Sequence, residues 1–190
     1  DFDGLASMVA AGKLYPGAVL VLPGGAQESV RNFLTTHPLH IARLKDVALD
    51  QVRRLILVDV QEPERLGTLR DLKSRADVEV HIFDHHEVDD RPAQAGSEWP
   101  SVTQRHVEPV GATITLLVEQ LNAQQVTLTA AEATLLALGL YEETGSLAYP
   151  STTPRELEAA AVVLRAGAAV NVGAGGFVPP LTSHRSALRD

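Results

Sequence analysis

Residues 81–90 read HIFDHHEVDD, an apolar stretch that runs straight into Asp84, His85 and His86. Adjacent imidazoles beside a carboxylate are awkward to bury, and a surface turn has no special need of them. Other acids occupy comparable places. Asp59 closes the apolar run LILVDV, Asp1 and Asp3 stand just before a helix-like stretch, and Tyr141-Glu142-Glu143-Thr144-Gly145 ends another helical run in a glycine-containing turn. Oxygen and imidazole ligands suit Mg, Mn, Fe or His-rich Zn sites. The chain has no cysteine, which excludes disulfides, zinc-thiolate sites and cysteine nucleophiles. Singly, each residue has a plainer reading. Asp1 and Asp3 fit helix caps, Asp59 a turn former, His85 and His86 a decorated loop, and Glu142 and Glu143 a solvated helix end. Jointly, carboxylates aimed at one place repel one another and raise their pKa values unless cations neutralise them. Two divalent ions bridged by a carboxylate are the usual device for hydrolysing phosphate esters.

The elements that must position these residues alternate along the first half of the chain. Residues 4–17 are helix-like and stop at Pro16-Gly17. Residues 18–23 and 53–60, with 78–83, are apolar runs that predict strands. Helical stretches are expected at 26–36 and 64–75. Such alternation indicates βαβ crossovers, so the predicted fold is α/β: a doubly wound, mainly parallel sheet flanked by helices. The carboxyl ends of parallel strands share one edge, where open α/β folds bind ligands. Asp1, Asp3, Asp59, His85 and His86 are therefore expected to converge.

Residues 87–103 are rich in charge, Pro, Gly and Ser and predict a long surface loop. Beyond them, Ile114, Leu117, Val118 and Leu121 form one stripe of a helix over 111–122. Thr129 with Glu132, and Thr153 with Glu156, are capping boxes that open two further helices. Gly111-Ala112-Thr113 either offers backbone N–H groups to a phosphate or is ordinary helix initiation. Residues 173–190 read as a linker. His37, His40, His81, His106 and His184 are taken as surface or satisfied core histidines, and Trp99 as a residue packed within the loop.

At 190 residues and 45% hydrophobic content, the chain is expected to hold one packed α/β domain, over 1–172. Its net charge of −8 disfavours a broad phosphate-binding surface of the kind duplex DNA requires, but not a phosphate met at a metal centre. No run of about 18 apolar residues suggests a membrane span, and no basic-then-apolar leader is present. A cytoplasmic location is the expectation. A start at Asp1 without Met suggests a cut or processed chain, with the first strand lost.

The ordered set DFDGLAS, LVDVQ, DHH, GAT and YEETGS resembles the DHH phosphoesterase superfamily, over almost the whole chain to about residue 170. The wording of DFDGLAS, LVDVQEPERL and YEETGS is most similar to the DHH region of bacterial fusions. In these, a DHH-associated domain, a CBS pair and a tRNA nucleotidyltransferase or poly(A) polymerase-like region follow. The resemblance implies two Mn²⁺ ions, with Mg²⁺ as an alternative. Asp1 would bind one and Asp3 the other, Asp59 would bridge them and His85 would coordinate the second. His86 would stand beside the substrate phosphate, and Asp84 would orient a histidine from behind. Glu143 stands where the family usually has Asp, its reach altered by one methylene. The family also carries a His a few residues before Asp1, a position that lies ahead of this sequence.

The expected reaction is Mn-dependent, two-metal hydrolysis of a small nucleotide phosphoester or short oligoribonucleotide, within a larger protein linked to tRNA or RNA 3′-end processing. Asp59 and His86 would carry the chemistry; His86, Gly111, Ala112 and Thr113 would hold the substrate. Partners would be that nucleotide or RNA and further domains of the same polypeptide, with a homodimer as an option and no membrane. Two alternatives stay open: a catalytically weak nucleotide- or RNA-sensing module, and a pyrophosphatase or exopolyphosphatase.

Overall fold

The computed structural model describes residues 1–86 and 99–169. Three strands, β1 (Arg54–Val58), β2 (Glu79–Asp84) and β3 (Val102–Val107), form a parallel sheet in the order β1-β2-β3. Five α-helices accompany it: α1 (Phe2–Leu14), α2 (Glu28–Thr36), α3 (Thr113–Ala123), α4 (Ala130–Glu143) and α5 (Pro154–Arg165).

Period-two alternation along the strands sorts the side chains onto two faces. Ile56, Val58 and Phe83 pack with the large core built by α1, α3, α4 and α5. Leu55, Leu57, Val80 and Ile82 face the other way, against Leu66, Leu69, Leu72 and Trp99. The parallel α/β architecture expected from the alternating pattern is thus present, with helical segments on both faces.

Three local expectations differ. Residues 64–75 form a 3₁₀ segment (Pro63–Ser74) broken at Gly67, whose φ is 57°. Buried Leu66, Leu69 and Leu72 recur every third residue, and a three-residue turn stacks them on one face. Residues 18–23 do not make a strand; only Val21 bridges Ala42, and Val19 is exposed. An apolar cleft of about 700 Å³ lies beside β1 instead, lined in part by Leu20, Val21, Ile56 and Val58 and reaching Gly4 and Asp59. β3 begins inside the stretch read as loop. It is an edge strand whose central Thr103, Gln104 and Arg105 are exposed, so it lacks an apolar signature. The rest of that loop, residues 87–98, and the expected linker at 173–190 lie outside the described residues.

Two close contacts fix the helices over the sheet. At Gly139 of α4 a Cβ would stand 2.8 Å from the Ala6 Cβ and 3.1 Å from the Phe2 carbonyl oxygen, so glycine permits the α1–α4 crossing. Glu156 of α5, fully buried, accepts from the Gly111 amide at 3.0 Å and from the Thr153 amide at 2.6 Å, closing the capping box. Burial pushes the Glu156 carboxyl up, but hydrogen bonds from Thr153 and Gly111 outweigh it and hold the pKa below the usual value. A lowered folded-state pKa contributes stability above the ordinary glutamate range, lost as pH falls through the lowered value. Glu156→Ala, which strands the Gly111 amide, is expected to cost about 1–3 kcal/mol at pH 7. The loss shrinks in acid. Urea unfolding from pH 7 to pH 3 measures both.

Candidate metal centre

The loop after each of the first two strands delivers the histidines and Asp59 to one edge. The Asp59 amide still donates to the Phe83 carbonyl at 2.9 Å, continuing the ladder, and the chain then turns with φ 59°. Left-handed backbone at a non-glycine residue is uncommon and is held only where the surroundings fix it. Here it aims the carboxylate back over the sheet edge. Asp59 Oδ1 accepts from Thr113 Oγ1 at 3.0 Å.

His85 stands opposite. Its Nδ1 donates to the Val110 carbonyl at 3.2 Å, which leaves Nε2 as the bare acceptor. That Nε2 is buried and has no hydrogen-bond partner. It lies 3.9 Å from Asp3 Oδ2, 3.8 Å from Asp59 Oδ1 and 3.8 Å from Glu143 Oε1. A nitrogen lone pair facing three carboxylates is a donor set suited to a cation. Two ligands each about 2.1 Å from one ion lie about 3–4 Å apart, so these spacings admit one. Asp59, His85 and His86 each offer a ligand atom within 4.8 Å of the others. The oxygen and imidazole donors fit a divalent ion of the Mg or Mn kind.

His86 is exposed at the rim, its ring tilted against that of His85 with centroids 4.3 Å apart. Buried Asp84 accepts from His86 Nδ1 at 2.7 Å and from its amide at 3.2 Å, which fixes the ring and turns Nε2 outward. Partial burial opposes protonation of His86, but the bond and charge of Asp84, with Asp59 and Glu143, raise its pKa.

Asp3 sits within the first turn of α1, with no exposed surface. Its carboxylate accepts from the Thr113 and Ile114 amides, each at 2.8 Å, and from Ser7 Oγ at 3.3 Å. An anion at the N-terminus of α3 satisfies otherwise orphaned donors and the positive end of the helix. That anion is part of the protein. The expected presentation of the Gly111 and Thr113 amides to a phosphate therefore differs from what is seen: Glu156 and Asp3 occupy them, while Ala112 is buried at the N-cap of α3. Thr113 contributes instead by its hydroxyl, which holds Asp59.

Asp1 is exposed and caps α1, accepting from the Gly4 amide at 3.0 Å. It reaches the same mouth without joining the tight cluster. A Cβ on Gly4 would stand 3.3 Å from Asp1 Oδ1 and 3.4 Å from Asp59 Oδ2, so the two carboxylates flank that glycine. Sequence reasoning assigned no role to Glu142, whose carboxylate accepts from the Phe2 amide at 2.5 Å and ties the end of α4 to the start of α1. It also missed Gln61, which donates to the His86 carbonyl at 3.1 Å. Trp99 is buried and donates to the Gln61 carbonyl at 3.1 Å.

A parallel α/β sheet with histidines and carboxylates converging at its carboxyl edge defines the class to which comparison with known proteins assigns this chain. The family model described as DHH family, N-terminal domain, matches residues 1–140, and the chain belongs to that phosphoesterase family. It is 41% identical over 191 residues to an A-adding tRNA nucleotidyltransferase of Geobacter sulfurreducens, and 32% identical over 169 residues to one of Aquifex aeolicus. These alignments cover 99% and 88% of this chain but only 21% and 18% of the relatives, so the chain spans about a fifth of their length. Among solved structures, one described as a family II inorganic pyrophosphatase of Methanococcus jannaschii superposes with a TM-score of 0.65 at 20% identity. It covers 88% of this chain and 53% of its own. An exopolyphosphatase-related protein from Bacteroides fragilis gives 0.69 at 13% identity, over 90% and 50%. The likeness to these two is one of fold.

Burial, together with mutual repulsion, raises the pKa of Asp3 well above the usual carboxylate value, against the pull of the Ile114 and Thr113 amides. Burial likewise raises Asp59, opposed by the Thr113 hydroxyl and the two histidines. A carboxyl with a raised folded-state pKa contributes stability below its ordinary range and loses it as pH rises through the raised value. At neutral pH the cluster thus strains the metal-free fold. Asp59→Asn, which keeps the Thr113 contact, is expected to raise the Tm of the metal-free protein by about 1–4 °C and to abolish the further rise on adding Mn²⁺. Scanning calorimetry with and without Mn²⁺ checks both.

Proposed function

We propose that this domain is a divalent-metal-dependent phosphoesterase acting on a small nucleotide phosphoester or a short oligoribonucleotide, in the cytoplasm and as part of a longer RNA-processing protein. The observation that carries this reading is the unpartnered His85 Nε2 among the carboxylates of Asp3, Asp59 and Glu143 at the sheet's carboxyl edge. Membership of the DHH family and the similarity to A-adding tRNA nucleotidyltransferases support the phosphoester and RNA context.

Asp59, His85, Glu143 and Asp3 would hold one or two Mn²⁺ or Mg²⁺ ions, with Asp1 completing the outer side. Bound there, the ions supply a water deprotonated near neutral pH and neutralise phosphoryl charge. The protein's own residues do the positioning. Thr113 and the left-handed turn orient Asp59, the Val110 carbonyl holds the His85 ring by Nδ1 with Nε2 among the carboxylates, and Asp84 directs the outer nitrogen of His86 toward the place a phosphate would occupy. A His86 proton donated there would stabilise developing negative charge. The cleft beside β1 supports a further strand ahead of Asp1, and the length of the relatives supports additional domains. Among the described residues no helix is long and apolar enough to cross a membrane.

The full-length protein with Mn²⁺ is expected to release mononucleotides from short oligoribonucleotides. Asp59→Asn and His85→Ala should each lower the rate by about 100-fold or more. Unchanged rates in both variants would refute the mechanism. Metal-dependent nucleotide binding with no product would instead favour a sensing module, and phosphate released from pyrophosphate but not from dinucleotides a pyrophosphatase.

A further inference from the structure

Arg105 is the central exposed cation of the edge strand β3. Arg43, Arg54, Arg75 and Arg155 each pair with a carboxylate. Arg105 has no such partner among the described residues; it donates from Nη1 to the neutral Gln61 Oε1 at 2.8 Å. The other end of that amide, Gln61 Nε2, donates to the carbonyl of His86 at 3.1 Å. The amide orientation is thereby fixed by a donor on one side and an acceptor on the other. The Gln61 backbone is pinned in turn by the buried Trp99 indole.

We infer that Arg105, braced by Gln61, binds a second phosphate of the substrate, adjacent to the one that meets the His85–Asp59 cluster. The inference rests on reading that cluster as a phosphoesterase centre. A guanidinium carries five donors, and one spent on a neutral carbonyl oxygen leaves its charge and most of its fork available. Two hydrogen bonds connect it to the backbone of His86, so it stands at the rim of the metal site. In a chain of net charge −8, a cation that has no carboxylate partner among the described residues and stands at the rim of an acidic cluster offers a place for phosphate oxygens that the surrounding acids would otherwise repel. The ligand class is a phosphoester with at least one additional terminal phosphate. The ligand that such a handle disfavours is a lone phosphodiester between two unphosphorylated nucleosides.

Phosphorothioate-linked adenosine dinucleotides, carrying no terminal phosphate, a 5′-terminal phosphate or a 3′-terminal phosphate, test this by calorimetric titration into the full-length protein with Mn²⁺. The parent should bind one phosphorylated form about tenfold or more tightly than the bare dinucleotide. Arg105→Ala should erase that ratio while leaving affinity for the bare dinucleotide within about twofold, and Arg105→Lys should keep part of it. Gln61→Leu should reduce the ratio by freeing the guanidinium. A parent with no preference, or a preference that survives Arg105→Ala, would overturn the assignment. Hydrolysis of the ordinary phosphodiester forms is followed separately. An Arg105-dependent binding ratio without product would leave the phosphate handle standing and sink the phosphoesterase reading.

Discussion

A buried imidazole nitrogen that faces three carboxylates without a hydrogen bond to any of them is the constraint on which the site depends. The neutral His85 ring cannot move its proton to Nε2 without abandoning the Val110 carbonyl, which takes the bond from Nδ1. Burial makes the carboxylates resist ionisation, raising both Asp3 and Asp59. A divalent cation satisfies all of these groups at once, and it converts repulsion among acids into a shared ligand set.

The rest of the fold serves to keep these acceptors close. Asp3 is the hinge of the arrangement: one oxygen receives the Thr113 amide and the other the Ile114 amide, so α1 and α3 are locked together at the cluster. Glycine at 139 lets α4 cross α1 closely enough for Glu142 to grip the Phe2 amide and Glu143 to face His85. Glu156 then braces Gly111, just ahead of α3. Carboxylates that look interchangeable in sequence thus divide their labour. Asp3, Glu142 and Glu156 cap backbone amides, Asp84 aims an imidazole, and Asp59 and Glu143 face His85 Nε2. Asp3 does both, since each carboxylate oxygen has a further lone pair.

Much of this was legible in the residues. The apolar runs ending at Asp59 and Asp84 marked two parallel strands, and their shared polarity predicted the meeting of Asp59, His85 and His86. Both capping boxes, at Thr129 and Thr153, were visible as spacing alone. β3 was hidden because an exposed edge strand buries little and needs no apolar alternation. The apolar run at 18–23 misled for the opposite reason: hydrophobic residues there line a cleft without gaining a backbone partner beyond one bridge. The Gly111-Ala112-Thr113 turn had the chemistry to receive an anion, but sequence spacing could not tell a substrate phosphate from the carboxylate of Asp3, 110 positions away. Arg105 carries no motif, and Gln61 ends LVDVQ without an assigned role; only the fold puts them beside His86.

The central claim is that His85 Nε2 is a metal ligand, and pulsed electron paramagnetic resonance of the Mn²⁺-loaded, full-length protein tests it most directly. The account predicts a ¹⁴N imidazole coupling on bound Mn²⁺ that disappears in His85→Ala. Bound Mn²⁺ with no nitrogen coupling, or a coupling unchanged by that substitution, would contradict it.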